Sequence, residues 1–383
     1  MLKNKRMRII GFIALLLIIL AALATRNFHW NVSALLHMDQ TFGETYNVPN
    51  NIILYKDGGY DGMSYYQVAR EIPQLFLGNS PENPPFYGNA YRSQRILLPF
   101  LAYILSLGKE AWLAHMILII NIASVCGALA LVLKMSKRLN VHVFTIVFNP
   151  AALVGILFSL TEPLSLFFIT LFLYLWEKND HKMNMAQVSA LALATLARET
   201  TIFLIGLIFI YEFCRNKWKD SGLLMLSIVP FILWEVFLVL RLEEVSLLAG
   251  SGMFSLPFEG PIILFHNILT GLDVYTLSAL CLLFLFIIPL FVHEVSEYLS
   301  GKGGSPLLFI LCGLTLLILS LDAHIWGVIT SVGRVITPLY PVYTLVAIKS
   351  DTWMFRTLST MLIVISLITA LGISAIPHPF VIS

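Results

Sequence analysis

The stretch RIIGFIALLLIILAALAT, Arg8–Thr25, decides the fold class because it runs from residue 9 to residue 24 without a charged side chain. An α-helix needs about 20 apolar residues to cross the ~30 Å hydrocarbon core of a bilayer. Similar runs recur along the chain, in which 58% of the 383 residues are hydrophobic and only 12% are charged. An ordinary soluble domain carries roughly twice that charged fraction. The sequence therefore predicts an all-α polytopic membrane protein.

The same stretch has features of a signal peptide. It follows the basic cluster Lys3-Asn-Lys-Arg6 and ends in a small-residue segment, Ala22–Ala24. Its apolar run is at the long end for a signal peptide, and many further apolar runs follow it. We therefore expect residues 1–25 to form an uncleaved first transmembrane helix.

Charge and cysteine content exclude several classes of function. The net charge is +2, and the lysines and arginines lie at the ends of apolar runs, so no nucleic-acid partner is expected. The cysteines show neither metal-ligand spacing nor a disulfide framework, and we interpret them as small core residues. They are Cys126, Cys214, Cys281 and Cys312.

The basic clusters also predict a topology, because such clusters mark the cytoplasmic ends of membrane helices. Placing all of them on one side puts the N-terminus inside and the C-terminus outside. The single membrane domain, 1–383, then comprises the first helix (1–25), an outer loop with amphipathic helices (26–110), a transmembrane core (111–241), a second outer loop (242–276) and C-terminal helices (277–383). The eleven predicted spans lie at about 8–25, 111–133, 141–158, 162–177, 184–197, 199–214, 222–241, 277–293, 306–322, 335–349 and 357–375.

Some of these segments are too short to cross a bilayer alone. A pair of short segments such as 184–197 and 199–214 has to be buried in protein or to border a water-filled cavity. The segment Ile96–Gly108, with Pro99 near its start, is also short, and we expect a helix lying on or dipping into the outer face. No internal repeat is evident, which disfavours an inverted-repeat transporter.

One polar segment, KDGGYDGMSYYQVARE at Lys56–Glu71, stands out in this apolar chain. The predicted topology places it outside the membrane, together with charges from segments far apart in the sequence. Charged groups at membrane depth are costly and usually border a cavity with a function. The candidate site residues are Asp57, Asp61, Arg92, Arg95, Glu162, Arg198, Glu199 and Arg334.

Each candidate also has a purely structural interpretation. Asp61 could cap the helix that follows it, Asp57-Gly-Gly could form a turn, and Thr161-Glu162-Pro163 could start a helix with the threonine as cap. Arg92 and Arg95 could extend to lipid headgroups, and the adjacent Arg198 and Glu199 could neutralise each other's charge in a tight turn.

An outward-facing carboxylate with arginines in a lipid-lined cavity suits transfer from a lipid phosphate. The carboxylate would take the proton from an acceptor hydroxyl as that oxygen attacks. Arginines grip phosphate through two donors and would hold the departing group. Glycosyl transfer from a polyprenyl-phosphate sugar meets these requirements.

The motifs themselves resemble those of GT-C glycosyltransferases, especially bacterial relatives of the GPI mannosyltransferases. The resemblance is good over roughly residues 55–215 and architectural in the C-terminal third. It is carried in order by G-Y-D-G-x-x-Y-Y at 59–66, Y-R-x-Q-R-I-L-L-P-F-L-A at 91–102, N-P-A at 149–151, S-L-T-E-P-L-S-L-F-F at 159–168, L-A-L-A-T-L-A-R-E-T at 191–200 and G-R-V-I-T-P-L-Y-P at 333–341.

The resemblance implies a multi-span GT-C-like fold in a bacterial plasma membrane, a lipid-phosphate sugar donor and an inverting displacement on the outer face. It places Asp61 at the catalytic-base position, Glu162 on the Ser/Thr-Glu motif and Arg198 on the arginine motif near the donor pocket. Family members often carry a tighter acidic pair than Asp57 and Asp61, which are four residues apart. We expect no cofactor, and this departure leaves a role for a divalent metal open.

Three other functions would use the same features. A lipid-linked sugar transporter or flippase would bind phosphate with the same arginines, and a structural subunit of a membrane complex would use the outer charges as interface pairs. A polysaccharide polymerase also has arginine-rich outer loops, but its large loop usually lies late in the chain. Here the longest outer loop comes first.

Overall fold

The structure is a computed structural model that describes residues 2–56, 58–77, 90–242, 253–267, 274–302, 305–327 and 329–375. Apart from turns, loops and one isolated bridge, the regular secondary structure within these residues is helical except for one short pair of strands. The helices, labelled α1 to α21 in chain order, are Leu2–Thr25, Gln40–Thr45, Asp61–Leu77, Ala90–Ser93, Leu97–Leu105, Glu110–Met135, Val141–Phe144, Pro150–Leu157, Glu162–Lys178, Met185–Ala197, Thr201–Cys214, Trp218–Met225, Val229–Leu242, Glu259–Asn267, Val274–Leu282, Ile288–Glu297, Pro306–Leu319, Ala323–Trp326, Ile329–Val335, Leu339–Ser350 and Trp353–Ala375.

Several helices are long and apolar enough to cross a membrane, so the chain is a multi-pass membrane protein. Five candidate spans occur in the described residues, and a sixth arises if α19 and α20, bent by 68° relative to each other, count as one. The five are Asn4–Phe28, Glu110–Met135, Trp218–Arg241, Thr276–Gly301 and Trp353–Ser374.

The predicted span 141–158 is wrong as a single helix. It consists of α7 and α8, separated by a turn before Pro150. Proline lacks the N–H that a continuing helix would need, but it suits the first turn of a new one. The Asn149 side chain caps α8 by accepting a hydrogen bond from the Ala152 N–H at 3.0 Å. The apolar helices α10, α11 and α17 are also shorter than a full span, with 10–17 residues each.

The bundle is centred on α9, which packs against α6, α8, α10 and α20. Its Phe172 and Trp176 are fully buried and stack at 5.7 Å between ring centroids. Some buried polar groups inside the bundle pair with one another. The hydroxyls of Thr145 and Thr344, for example, are 2.7 Å apart. One large apolar cluster, which runs from Ile13 on α1 to Ile373 on α21, joins the N-terminal and C-terminal helices.

The first predicted outer loop folds onto one end of this bundle. Two 3₁₀ helices, Arg26–Phe28 and Val32–Leu36, follow α1. Strand β1 (Met38–Asp39) pairs in parallel with β2 (Leu54–Tyr55), a small departure from the all-α prediction. Apolar side chains of the loop pack against α6, and they include Leu36, Met38, Tyr66 and Leu98. The loop is thus part of the folded core.

The helix predicted for the short segment after the loop is present as α5. Leu98 and Ala102 on α5 are buried, whereas Leu105 is 54% exposed and Leu107, just beyond it, is 82% exposed. Helix α5 packs against both α3 and α6. It therefore links α3, which begins at Asp61, to α6.

Candidate functional site

The candidate site forms where α3 begins, and glycines determine its position. Gly58 has φ +78°, a left-handed conformation that glycine adopts at little cost. A Cβ at Gly62 would lie 2.3 Å from the carbonyl oxygen of Phe158 and 3.0 Å from that of Leu36. Only glycine allows this approach to backbone that cannot easily yield. The glycines of the polar segment therefore bring Asp61, the first residue of α3, against the end of α8.

Three arginines surround the carboxylate of Asp61. Arg92 donates from Nε to Oδ1 at 2.7 Å, and Arg334 donates from Nη2 to Oδ2 at 2.7 Å. Arg95 Nη1 lies 3.7 Å from Oδ2. Charge-assisted hydrogen bonds of this kind are about twice as strong as neutral ones. The carboxylate thus joins the first outer loop to α19 near the other end of the chain.

A second carboxylate, Glu162, lies deeper and is completely buried at the start of α9. Its Oε1 accepts a hydrogen bond from Arg334 Nε at 2.6 Å and another from Arg198 Nη1. Its Oε2 has no partner in the described part of the chain, and neither does Arg198 Nε. A buried ionic atom without a partner is costly, so each is a candidate contact for a ligand.

The third carboxylate, Glu199, lies between α10 and α11 and accepts two hydrogen bonds from Arg95. They run from Nε to Oε2 at 2.8 Å and from Nη2 to Oε1 at 2.6 Å. Arg95 also donates to the hydroxyls of Tyr65 and Tyr91, each at 2.8 Å. The Arg95 side chain is 2% exposed. Every donor group of this arginine is therefore in use.

These residues form one connected cluster, hereafter the arginine cluster: Asp61, Arg92, Arg95, Glu162, Arg198, Glu199 and Arg334. Four guanidinium groups face three carboxylates, so the members named here sum to +1. The Arg92 side chain is 35% exposed, that of Asp61 16% and that of Glu162 0%. The cluster is therefore open to solvent at Arg92 and closed at Glu162, which forms its floor. Its net positive charge favours the binding of an anion.

The arginines set the acidity of Asp61. Burial alone would raise the pKa of this carboxyl, but the charges of Arg334, Arg92 and Arg95 outweigh burial and hold the pKa well below its usual range. Asp61 is consequently ionised, and it is a weak base while all three arginines remain in place. Removing one arginine from contact would raise its basicity.

The structure brings together seven of the eight predicted site residues. Asp57 lies outside the described residues. The adjacent Arg198 and Glu199 form their ion pairs with other segments, which argues against mutual neutralisation within one turn. The expected cap by Thr161 is wrong, because its side chain makes no capping hydrogen bond to α9. Arg95 is buried in the protein and does not extend toward lipid headgroups.

Tyrosines at the site were not identified from the sequence. Tyr60 accepts a hydrogen bond from Arg334 Nη1 at 3.0 Å, and the guanidinium carbon lies 5.1 Å from its ring centroid. Tyr65 follows Asp61 by one helical turn, and Tyr91 precedes Arg95 by four residues. Side chains four residues apart share a helix face, so this spacing could have indicated Tyr65. Arg95 lies between α4 and α5, so the spacing does not indicate Tyr91 in this way.

A narrow apolar cavity lies beside the cluster. Its volume is about 30 Å³, and it lies between α11, α17 and the bend of α19 and α20. Thr200 and Val335, which line it, directly follow Glu199 and Arg334 in the sequence. Apolar side chains therefore continue from the charged residues into the bundle.

Comparison with family models, with curated proteins and with solved structures found no match.

Proposed function

We propose that the protein is an inverting membrane glycosyltransferase of GT-C type. It would transfer a sugar from a polyprenyl-phosphate donor to an acceptor hydroxyl on the outer face of a bacterial plasma membrane. The observation that carries the proposal is the position of Asp61 among three arginines at the end of a bundle of membrane helices. The eleven-span threading, with short and broken helices as partial spans, belongs to this proposal.

The arginines would bind the donor phosphate. Arg92 is the most exposed of them and makes a hydrogen bond to Asp61 with its Nε. An incoming phosphate would compete for this guanidinium group, since arginine pairs well with phosphate. The unpartnered Nε of Arg198 would offer a further donor at the floor. The net positive charge of the cluster would stabilise the leaving phosphate as charge accumulates on it.

Asp61 would act as the general base once the donor phosphate has drawn Arg92 away. The acceptor oxygen attacks the anomeric carbon and its proton passes to Asp61, while the bond from that carbon to the phosphate oxygen breaks. The electron pair leaves with the phosphate. Attack opposite the leaving group inverts the anomeric centre. Glu162 and Glu199 would position the arginines by accepting hydrogen bonds from Arg334 and Arg95, so that Asp61 is not their only partner.

The apolar cavity beside Thr200 and Val335 supports a lipid-linked donor. A prenyl chain is far larger than this cavity, so α11 and the α19–α20 bend would have to separate to admit it. The acceptor would arrive from water at the side where Arg92 is exposed.

The test is product formation in reconstituted vesicles from radiolabelled polyprenyl-phosphate sugars, with and without a chelator. Asp61→Asn keeps the size of the side chain but cannot accept the proton. The proposal predicts product from the parent protein and loss of turnover in Asp61→Asn with donor binding retained. No product from the parent across a broad panel of donors and acceptors would favour a transporter, a polymerase or a structural subunit.

A further inference from the structure

A second feature lies at the opposite end of α1 from the loop that carries Asp61. A groove of about 490 Å³ lies between α1, the end of α7 with the turn after it, and α21. The face of α1 that lines it comprises Lys5, Arg8, Ile9, Phe12, Ile13 and Leu16. These positions recur at three and four residues and therefore form one stripe along the helix. The stripe is charged at its first turn and apolar beyond it.

The other walls of the groove are apolar. Phe144 and Phe148 line it at the end of α7 and in the turn that follows, and Ile363 lines it from α21. Only 17% of the membrane-crossing window of α1 is buried inside the protein. The groove thus lies where the least buried candidate span meets the bundle.

Several cations lie at this end, and some of them have a partner. Arg356 pairs with Asp351 at 3.0 Å, Lys349 pairs with Glu177, and Arg6 donates to the Ser136 carbonyl oxygen at 3.4 Å. Lys5 and Arg8 have no carboxylate partner within the described ranges and are exposed at the groove.

We propose that this groove binds one phospholipid with an anionic headgroup. Its phosphodiester and headgroup charge would lie at Lys5 and Arg8, and its acyl chains would lie along Phe12, Leu16 and Ile363. Basic residues at a membrane surface attract anionic lipids, and no acidic residue lines the groove to oppose this. The lipid would fill the gap that α1 leaves against α21. The inference is independent of the proposed transferase activity.

The proposed lipid has a structural consequence. Helix α1 also packs against the 3₁₀ helix Val32–Leu36, whose Leu36 carbonyl oxygen borders Gly62. A lipid that holds α1 against the bundle would thereby support the base of the outer loop. We therefore expect binding to raise the thermal stability of the whole protein.

The test uses the full-length protein in nanodiscs and in detergent, with phosphatidylglycerol and phosphatidylcholine as probes. Native mass spectrometry reports retained lipid, and thermal unfolding reports stabilisation. We expect one phosphatidylglycerol to be retained with about 30-fold preference over phosphatidylcholine, because each of the two basic residues near the surface contributes roughly 1 kcal/mol. Lys5→Gln/Arg8→Gln should lose this preference. The control Lys137→Gln/Arg138→Gln removes the same charge at the same end and should retain it.

Removal of two charges near the first helix can also disturb insertion. Ile363→Trp keeps both cations and fills the groove, and it should lower retention of phosphatidylglycerol at unchanged topology. Equal retention of the two lipids by the parent protein would overturn the proposal. So would an unchanged headgroup preference in Lys5→Gln/Arg8→Gln, or unchanged retention in Ile363→Trp.

Discussion

Arg334 and Asp61 lie 273 positions apart in the sequence, yet Arg334 Nη2 donates to Asp61 Oδ2 at 2.7 Å. The same guanidinium group donates through Nε to Glu162 at 2.6 Å. One side chain therefore joins the start of α3 to the start of α9. Breaking a buried pair of this kind by removing one partner typically costs about 3–5 kcal/mol, because the other charge is left uncompensated.

The first prediction concerns topology. In a background without native cysteines, Lys56→Cys should react with an impermeant thiol reagent added outside intact cells. Lys137→Cys should react only after permeabilisation, because the basic clusters are predicted to face the cytoplasm. Both positions are exposed. If Lys56→Cys reacted only from the cytoplasmic side, the topology would be the reverse of the predicted one and the site would not face outward.

The second prediction concerns pH. Arg92 is one of the charges that lower the pKa of Asp61, so Arg92→Gln should raise that pKa. A base with a raised pKa becomes protonated, and inactive, at a higher pH. The acid limb of the kcat/KM profile should therefore move to higher pH in Arg92→Gln.

The control for this pH profile is Arg138→Gln. Arg138 follows α6 in one of the basic clusters, away from the arginine cluster, so this variant should leave the acid limb unchanged. An acid limb at the parent position in Arg92→Gln would show that Asp61 does not set it.

The third prediction tests Arg198, whose side chain is 4% exposed and bound to Glu162. Arg198→Lys keeps one charge but loses the planar pair of donors. Donor affinity should fall by about 1–3 kcal/mol, the range for a charge-assisted hydrogen bond. In an enzyme, turnover at saturating donor should fall as well, because charge on the leaving phosphate grows in the transition state. The measurements are donor binding and kcat in vesicles.

An unimpaired Arg198→Lys enzyme would remove Arg198 from the phosphate site and leave Arg334 or Arg95 as candidates. Reduced binding without any product from the parent would instead indicate a transporter.

The fourth prediction concerns Gly62. Gly62→Ala would place a methyl group 2.3 Å from the Phe158 carbonyl oxygen, so α3 has to move away from α8. Overpacking of this kind lowers the free energy of unfolding by about 1–3 kcal/mol. The displacement of Asp61 should also lower the activity of the protein. Gly206→Ala is the matched control, since a Cβ there meets nothing within 4 Å. Thermal unfolding of the two variants separates the effects, and equal melting temperatures would contradict the predicted clash.

The sequence was sufficient to predict the helical membrane fold and the grouping of charges, for identifiable reasons. Uncharged apolar runs specify membrane helices, and placing the basic clusters on one side predicts a common end for residues as distant as Asp61 and Arg334, which the structure brings into contact. The pairing within the cluster could not be predicted. It depends on the depth and rotation of each helix, and a rotation of one residue would exchange Arg198 for Glu199.

Local backbone features were harder to predict. The break before Pro150 interrupts an apolar run that reads as continuous, and it reflects backbone hydrogen bonding that hydropathy does not record. The role of Gly62 depends on two carbonyl groups from distant segments, Leu36 and Phe158. A sequence shows that a glycine is present but not what approaches it.

The 68° bend between α19 and α20 has a mechanical consequence. Arg334 lies on the last turn of α19, and the residues that follow it, from Val335 to Leu339, include four that line the narrow apolar cavity. If the lipid chain of the proposed donor entered that cavity, it would press on the bend and shift Arg334 relative to Asp61. The bend would thus couple the proposed lipid site to the charges around Asp61, with the membrane helix α20 on one side of it and Arg334 on the other.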